Sequence, residues 1–197
     1  MQIPSPFPGK LILASSSPRR AEILSSVGWP FEAVTAGIDE SRQYGETPAD
    51  YVQRLAREKA EAVASMRATG LVLGADTTVV VNDNLLGQPS DDDDARRMLC
   101  LLSGNWHDVL TGVALINIGG STNVNYETTR VRFARMTDDE IDWYLSTGEA
   151  NGKAGAYAIQ GRAALFIEEI EGEYFNIVGL PIRLVYQMVH QVGPTNL

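Results

Sequence analysis

The stretch LILASSSPRRAEILSSVG, residues 11–28, gives the first indication of the fold class. It opens on a short uninterrupted apolar run, LILAS, which is typical of a buried strand. The residues that follow place Ile23, Leu24 and Val27 on one side of a predicted helix, and the glycine at position 28 is a stop signal. A strand that runs directly into a helix is the repeating step of an α/β fold.

The same alternation of strand and helix signals continues along the chain. Further strands are predicted in FEAVTAG (31–37), LVLGADTTVVV (71–81), HDVLTGVALINI (107–118), TTRVRFARM (128–136) and GRAALFIEEIEG (161–172). Predicted helices cover 47–66 behind a Thr cap, 90–104 behind Ser90, 137–149 behind a capping box, and 179–193 with Pro181 in the first turn. The helix over 47–66 carries a buried stripe of Tyr51, Val52, Leu55, Ala56, Ala60 and Val63. Since NDN (82–84) predicts a hairpin, we expect a mixed α/β fold with antiparallel pairs.

The length of 197 residues suits one domain, or two compact lobes that share a core. The apolar runs are shorter than the roughly 20 residues that a membrane span needs, and the first residues lack the apolar core of a signal peptide. Cys100 is the single cysteine, so no internal disulfide is expected, and its apolar neighbours in MLCLL predict that it is buried. We therefore expect a protein of the reducing cytoplasm.

The formal net charge of -9 narrows the class of partner. An acidic protein gains no affinity for a polyanion from counterion release unless its cations are clustered, so a nucleic-acid polymer is not expected. A small phosphorylated ligand needs only a local group of cations. With His107, His190 and one cysteine, a zinc site of the usual type is not expected, and any metal would be a hard cation held by carboxylates.

Two arginines at the start of the first helix are unexpected. A helix N-terminus carries a partial positive charge, so Arg19 and Arg20 are unfavourable there unless an anion lies nearby. Ser15, Ser16 and Ser17 add hydroxyls and backbone N–H groups at the same helix start, which is a common anion-binding arrangement. The pattern leaves a simpler alternative equally open, in which Ser17 is only an N-cap and the arginines point into solvent.

Asp76 is the second unusual residue, because it interrupts the apolar run LVLGADTTVVV. A buried carboxylate is costly unless it is paired, hydrogen-bonded or bound to a metal. Two interpretations follow. Asp76 is a metal ligand or a catalytic acid–base group, or it is a strand-end aspartate that accepts hydrogen bonds from nearby backbone N–H groups.

Other polar residues carry weaker signals. Asp39 and Glu40, just after a predicted strand, could supply a second carboxylate, although such a pair is more often a solvated turn. Lys59 by itself is interpreted as a surface lysine. The run Asp91–Asp94 is interpreted as the favourable acidic first turn of a helix rather than as a metal cluster. Gln160 lies in the small-residue segment AGAYAIQG, where the backbone can approach closely and Gln160 could hydrogen-bond the edge of a ligand.

Taken together, these motifs resemble one family, the Maf-like nucleotide pyrophosphatases, from about residue 10 to residue 187. The segments that carry the resemblance are, in order, LASSSPRR, IDE, LAREKA, GADTTV, LSGNWHDVLTGV, TRVRF, KAGAYAIQG and NIVGLP. The resemblance implies a single Maf-like domain over 1–197 with the fold of the inosine-triphosphate pyrophosphatases, the Maf/Ham1 fold. That fold is an α/β fold with an elongated mixed sheet, flanking helices and two lobes around a central cleft, and the resemblance also implies a homodimer.

The resemblance further implies an activity, the hydrolysis of a nucleoside triphosphate to the monophosphate and diphosphate with Mg²⁺ or Mn²⁺. Thr77 after the aspartate, Gln160 and the sequence SPRR are similar to the dTTP/UTP pyrophosphatase subgroup. The 7-methyl-GTP subgroup typically has DQ, a Glu in place of that Gln, and SPWRR, which makes it the lesser alternative. A nucleotide-binding regulator of septum formation with weak catalysis is the other alternative. Base-modified pyrimidine triphosphates are further candidate substrates.

Site residues follow from the family motifs position by position. Arg19, Thr77 and Gln160 match specificity positions. Further active-site positions are matched by Ser17, Arg20, Glu40, Lys59 and Asp76.

The resemblance also implies how the roles are divided. The two arginines and the serine loop from Ser15 would hold the phosphates, with Lys59 adding charge, while Glu40 and Asp76 would hold the divalent cation. The family's usual role for Asp76 is proton acceptor. Neighbouring cations are expected to lower the pKa of Asp76 below the ordinary ~3.9, which would make it a weak base near neutral pH.

One departure from the family pattern concerns Gln88. The family usually has GKP or EKP after the hairpin, whereas this chain has GQPSD. A lysine at that position is expected to face the phosphates. Gln88 is therefore expected to weaken stabilisation of the leaving group, although it still donates hydrogen bonds.

Overall fold

Seven strands form one mixed sheet in the part of the chain that the computed structural model describes, residues 11–35 and 37–192. The strands are β1 (Leu11–Ala14), β2 (Phe31–Val34), β3 (Leu71–Val81), β4 (Asn84–Leu86), β5 (Trp106–Asn117), β6 (Thr122–Phe133) and β7 (Ile167–Glu171). Their order is β2-β1-β3-β5-β6-β7, and β4 pairs with β3. β1 is parallel to β2 and β3, whereas β3–β4 and β6–β7 are antiparallel. The predicted mixed α/β class is confirmed.

Helices occupy much of the remaining described chain. They are α1 (Pro18–Ser26), α2 (Pro48–Ala64), α3 (Asp92–Leu102), α4 (Asp138–Ser146), α5 (Tyr174–Val178) and α6 (Ile182–Val192), with short 3₁₀ helices at Ala154–Ala156 and Arg162–Phe166. The capping box predicted for α4 is confirmed, because Thr137 and Glu140 satisfy each other's backbone N–H groups. Thr47 and Asp50 form the same motif at the start of α2.

No helix within the described residues is both long enough and apolar enough to cross a membrane.

Some local predictions are wrong at element ends. Val27 follows the last residue of α1 and is 40% exposed, so it does not share the buried face of Ile23 and Leu24. Residues 162–166 form a 3₁₀ helix, and the predicted strand begins only after them. Pro181 immediately precedes α6 rather than lying in its first turn. Terminal turns depend on contacts beyond the local pattern, and for this reason the ends are less well predicted than the elements.

The helix α3 corrects two further predictions. Its N-cap is Asp91 rather than Ser90, and an Asp91 carboxylate oxygen accepts a hydrogen bond of 2.8 Å from the Asp94 backbone N–H. Cys100 is exposed, not buried. The apolar run around Cys100 misled the prediction because each residue turns a helix by about 100°. The buried face of α3 consists of Ala95, Met98, Leu99 and Leu102.

The described chain divides into two compact units. Unit 1 comprises the described residues up to Asp76, residues 111–127 and the described residues from Gly179 onward, and unit 2 comprises 77–110 and 128–178. In unit 1, the predicted stripe of α2 is confirmed, with Tyr51 only partly buried. A cluster of small and branched side chains packs there: Ile12, Ala14, Ala56, Ala60, Val63, Val72, Ala114 and Ile116.

Two glycines allow α2 to lie very close to the strands of unit 1. A Cβ atom at Gly74 on β3 would lie 2.1 Å from the carbonyl oxygen of Ala56. A Cβ atom at Gly112 on β5 would lie 2.2 Å from the carbonyl oxygen of Val52. No side chain fits at these distances, so the close contact requires glycine at both positions. The contact fixes the height of α2 above β3, two residues before Asp76.

In unit 2, His107 lies in an aromatic core. The side chain is 2% exposed, and Nε2 lies 2.8 Å from the hydroxyl of Tyr157. The rings of Phe133 and Tyr157 pack edge-on against the imidazole, with centroids at 5.2 and 5.4 Å. Burial lowers the pKa of His107 to about 4, so the folded protein holds a neutral imidazole near pH 7.

This shift predicts a pH-dependent loss of stability. Below about pH 6.5 the unfolded chain binds a proton at His107, while the folded chain does not until about pH 4. The free energy of unfolding should therefore fall by about 3 kcal/mol as the pH decreases through that window. Urea unfolding of wild type and His107→Gln at several pH values measures this slope. His190→Gln, the same substitution at an exposed histidine, is the control for the change of side chain. Parallel slopes for wild type and His107→Gln would contradict the prediction.

Candidate active site

The start of α1 is built around Ser15 and Arg20. The hydroxyl oxygen of Ser15 accepts hydrogen bonds of 3.1 Å from the backbone N–H of Ser17 and of 3.1 Å from Nη1 of Arg20. Nε of Arg20 donates a 2.7 Å bond to the carbonyl oxygen of Gly179. Ser17 is the N-cap, but its side chain makes no capping bond. Arg20 is thus partly buried and anchored by two hydrogen bonds, and the alternative in which both arginines point into solvent is wrong for Arg20.

Lys59 joins the two carboxylates that the sequence singled out. Its Nζ lies 2.6 Å from Oδ1 of Asp76 and 2.9 Å from Oε1 of Glu40. Asp76 is 7% exposed, whereas the side chain of Glu40 is 53% exposed. Lys59 is therefore an internal cation, not the surface lysine that its local sequence indicates. Asp76 is paired with an ammonium group, which is how a buried carboxylate is normally stabilised.

The topology explains why these residues meet. β1 and β3 are parallel neighbours with Ala14 opposite Gly74, so Ser15 and Asp76 both lie just beyond that pair. Side chains at this end of adjacent parallel strands are where α/β folds commonly bind ligands. Lys59 reaches the same place because α2 rests directly on Gly74.

Burial and neighbouring charges shift the pKa values of this cluster in opposite directions. Burial raises the pKa of Asp76, and the nearby cations Lys59 and Arg20 lower it by less. The expectation that cations would hold this pKa below its ordinary value is therefore wrong, because desolvation is the larger effect. Burial also lowers the pKa values of Arg20 and Arg19, with Asp76 opposing the shift at Arg20 and Glu22 opposing it at Arg19.

The carboxylate oxygens of the cluster suit a hard divalent cation that is also coordinated by substrate phosphates. Glu40 and Asp76 bring two carboxylates to the same ammonium group. Among residues 11–35 and 37–192, no group of three or more His, Cys, Asp or Glu residues lies together. Mg²⁺ is usually held by one or two carboxylates together with substrate phosphates and water, so a two-carboxylate site suits that use.

Three predicted specificity or binding positions lie in unit 2. Thr77 follows Asp76 on β3, while Gln88 and Gln160 are exposed in the segments after β4 and after the first 3₁₀ helix. The backbone N–H of Gly155 donates a 3.0 Å hydrogen bond to the carbonyl oxygen of Gly87, next to Gln88.

The predicted close approach at the segment AGAYAIQG is confirmed. A Cβ atom at Gly155 would lie 2.9 Å from the side chain of Val79.

Some residues that shape the cluster were not singled out in the sequence. Gly179 supplies the carbonyl group for Arg20 and lies in the motif NIVGLP, where the local sequence indicates no such role. Tyr51, interpreted only as part of a buried stripe, donates a 3.0 Å hydrogen bond to the carbonyl oxygen of Glu40. The available signal for Tyr51 was its hydroxyl group, a polar atom on a helix face that is otherwise apolar.

The fold places the chain in a known class of α/β proteins. It is similar to the Ham1 protein of Staphylococcus aureus, with a TM-score of 0.56 and 11% identity over 93% of this chain and 99% of that one. A HAM1 protein from Coxiella burnetii gives a TM-score of 0.53 at 14% identity, covering 92% of this chain and 98% of that one. The Maf/Ham1 fold class is thus confirmed.

The family follows from the sequence. Residues 10–192 match the family described as Maf-like protein, and the chain belongs to that family. A protein of Symbiobacterium thermophilum named dTTP/UTP pyrophosphatase is 50% identical over 184 residues, 93% of this chain and 94% of the relative. Proteins of the same name from Pelotomaculum thermopropionicum and Hahella chejuensis are 48% and 50% identical, each over 93% of this chain and over 97% and 92% of their own lengths.

Proposed function

We propose that this protein is a nucleoside triphosphate pyrophosphatase that hydrolyses dTTP and UTP to the monophosphate and diphosphate. The names of its relatives support this substrate class. The observation that carries the proposal is the contact of Lys59 with both Asp76 and Glu40, in a cluster that includes Arg20. The cations of this cluster suit a polyanionic substrate, and its carboxylates suit the divalent cation that accompanies that substrate.

The start of α1 would bind the phosphates. The backbone N–H groups there and the helix dipole favour an anion, and Arg19 lies on the first turn. Arg20 is fixed by Ser15 and Gly179, so its charge is oriented before substrate arrives. Preorganised charge of this kind is the main way in which proteins accelerate phosphoryl transfer.

The reaction would be attack of water on the α-phosphorus, with rupture of the bond to the α–β bridging oxygen and departure of diphosphate. Glu40 and Asp76 would hold Mg²⁺ or Mn²⁺, which neutralises phosphate charge and lowers the pKa of a coordinated water. Asp76, whose pKa is raised by burial, would accept the proton of the attacking water. Lys59 would stabilise negative charge that develops on the phosphates.

Base selection would be the task of Thr77 and Gln160, with Arg19. A glutamine can pair with the N3–H and carbonyl edge that uracil and thymine share. A site built to hydrogen-bond such an edge rejects other bases strongly, so dTTP and UTP should exceed ATP and GTP in kcat/KM by about 10²-fold or more. Diphosphate release from a panel that includes 7-methyl-GTP measures this ratio. Faster hydrolysis of purine triphosphates would contradict it.

Gln88 is the feature that favours the alternative of a nucleotide-binding regulator with weak catalysis. Gln88→Lys restores the cation usual in the family, and it should raise kcat if the wild-type protein is an enzyme limited at this position. The same panel, run on both proteins, separates the two functions.

Three further expectations accompany the proposed function. The resemblance predicts a homodimer and a single Maf-like domain with its cleft. The single cysteine predicts a cytoplasmic location. Size-exclusion chromatography with light scattering tests the first of them.

A further inference from the structure

The segment that carries Glu40, residues 37–47, has no helix or strand of its own. Glu40 is mostly exposed, and yet its carboxylate is held 2.9 Å from Lys59. A flexible segment would lose a large part of that contact to conformational entropy. The position of the Glu40 carboxylate therefore depends on the contacts that attach this segment to the rest of unit 1.

Arg54 of α2 provides the main attachment. Its guanidinium forms a two-pronged pair with Glu46, through Nε to Oε1 at 2.5 Å and Nη2 to Oε2 at 3.0 Å. Nη2 also donates a 3.0 Å bond to the carbonyl oxygen of Ser41, next to Glu40. The side chains of Arg54 and Glu46 are only 11% and 10% exposed. Paired arginines of this geometry hold their partners in one orientation, which a lysine cannot reproduce.

Tyr51 provides a second attachment, one turn before Arg54 on the same helix. Its hydroxyl donates a 3.0 Å hydrogen bond to the backbone carbonyl oxygen of Glu40 itself. Glu46 closes the segment internally, because its carboxylate accepts a 2.9 Å bond from the backbone N–H of Gln43. The helix that supplies Lys59 thus also supplies the two side chains that hold Glu40.

We propose that Arg54 and Tyr51 are positioning residues, which hold the segment 37–47 on α2 so that the Glu40 carboxylate faces Lys59 and Asp76. This inference rests on the proposed function insofar as Glu40 is taken to bind a divalent cation. Both residues donate to backbone carbonyl oxygens, those of Glu40 and Ser41. Their effect passes through the backbone of Glu40 and Ser41.

The test uses Tyr51→Phe and Arg54→Lys with matched controls in the same region. Tyr44→Phe removes a hydroxyl from a fully exposed tyrosine of the same segment, and Arg57→Lys changes an exposed arginine of the same helix. Hydrogen exchange of residues 37–47 is measured without metal, and Mn²⁺ affinity is measured by titration of the free ion's electron paramagnetic resonance signal.

The two variants should exchange amides in the segment about fivefold faster, the effect of losing one net hydrogen bond. Their dissociation constants for Mn²⁺ should rise by up to about the same factor, because the arrangement in which Glu40 faces Asp76 is populated less often. With Mn²⁺ saturating, the KM for dTTP should stay near that of wild type. Both controls should match wild type in exchange and in Mn²⁺ affinity.

Faster exchange with unchanged Mn²⁺ affinity would overturn the inference, because the attachment would then be merely structural. Unchanged exchange would overturn it as well. Failure of the wild-type protein to release diphosphate would reject the proposed function alone, since the exchange and Mn²⁺ measurements do not depend on turnover.

Discussion

Replacement of Asp76 by Asn is expected to reduce kcat for dTTP by about 10²- to 10⁴-fold, the usual contribution of a proton-transfer group. The amide is close in size to the carboxylate but accepts no proton at neutral pH and is a poor ligand for a hard cation. Nucleotide binding should largely survive, because Arg20 and Ser15 keep their own contacts. Diphosphate release and equilibrium binding of dTTP in Ca²⁺ or without metal distinguish the two effects.

The matched control for this prediction is Asp83→Asn. Asp83 lies at the exposed tip of the β3–β4 hairpin with φ of 63°, a conformation that asparagine adopts readily. The control should keep wild-type turnover and binding. If Asp76→Asn retains most of its activity, Asp76 has neither of the roles proposed for it.

Replacement of Lys59 by Met is expected to lower the free energy of unfolding by about 3 kcal/mol, in addition to impairing catalysis. The substitution keeps most of the aliphatic volume and removes the ammonium group that lies 2.6 Å from Asp76. A buried carboxylate without its partner is strongly destabilising. The contact with the exposed Glu40 contributes much less, because solvent screens it.

A double-mutant cycle makes this prediction specific. If the cost of Lys59→Met comes from the bare charge of Asp76, adding Asp76→Asn should recover most of the lost stability. Urea unfolding of wild type, both single variants and the double variant gives the coupling energy. Arg57→Met, at a half-exposed arginine of the same helix, is the control and should be nearly neutral, because solvent screens its ion pair with Glu61. Additive losses in the double variant would show that the pair does not account for the effect.

The position of α2 against the sheet was partly predictable. The stripe of α2 was visible as a period of small and apolar residues, and the structure buries it as expected apart from Tyr51. The need for glycine at Gly74 and Gly112 was not visible, because it arises from the backbones of two elements that come together only in the folded chain. Periodicity shows which face of a helix is buried but not how closely the neighbouring strands approach that face.

The candidate site shows the same division between local and distant information. Ser15, Arg19 and Arg20 drew attention because their charges and hydroxyls are unusual for a helix start. The anchoring of Arg20 by Gly179 joins residues 159 positions apart, and no local pattern indicates such a bond. Lys59 was indistinguishable from a surface lysine until the structure placed it between two carboxylates.

The sequence by itself determined the mixed α/β class, the main helices with most of their caps, and the family, because these depend on neighbouring residues and on short motifs. The tertiary structure alone decided that Cys100 is exposed, that Lys59 pairs with Asp76, and that burial raises the pKa of Asp76 despite two nearby cations. The physical reason is that desolvation and ion pairing depend on what surrounds a group in space, and those neighbours are distant in the chain.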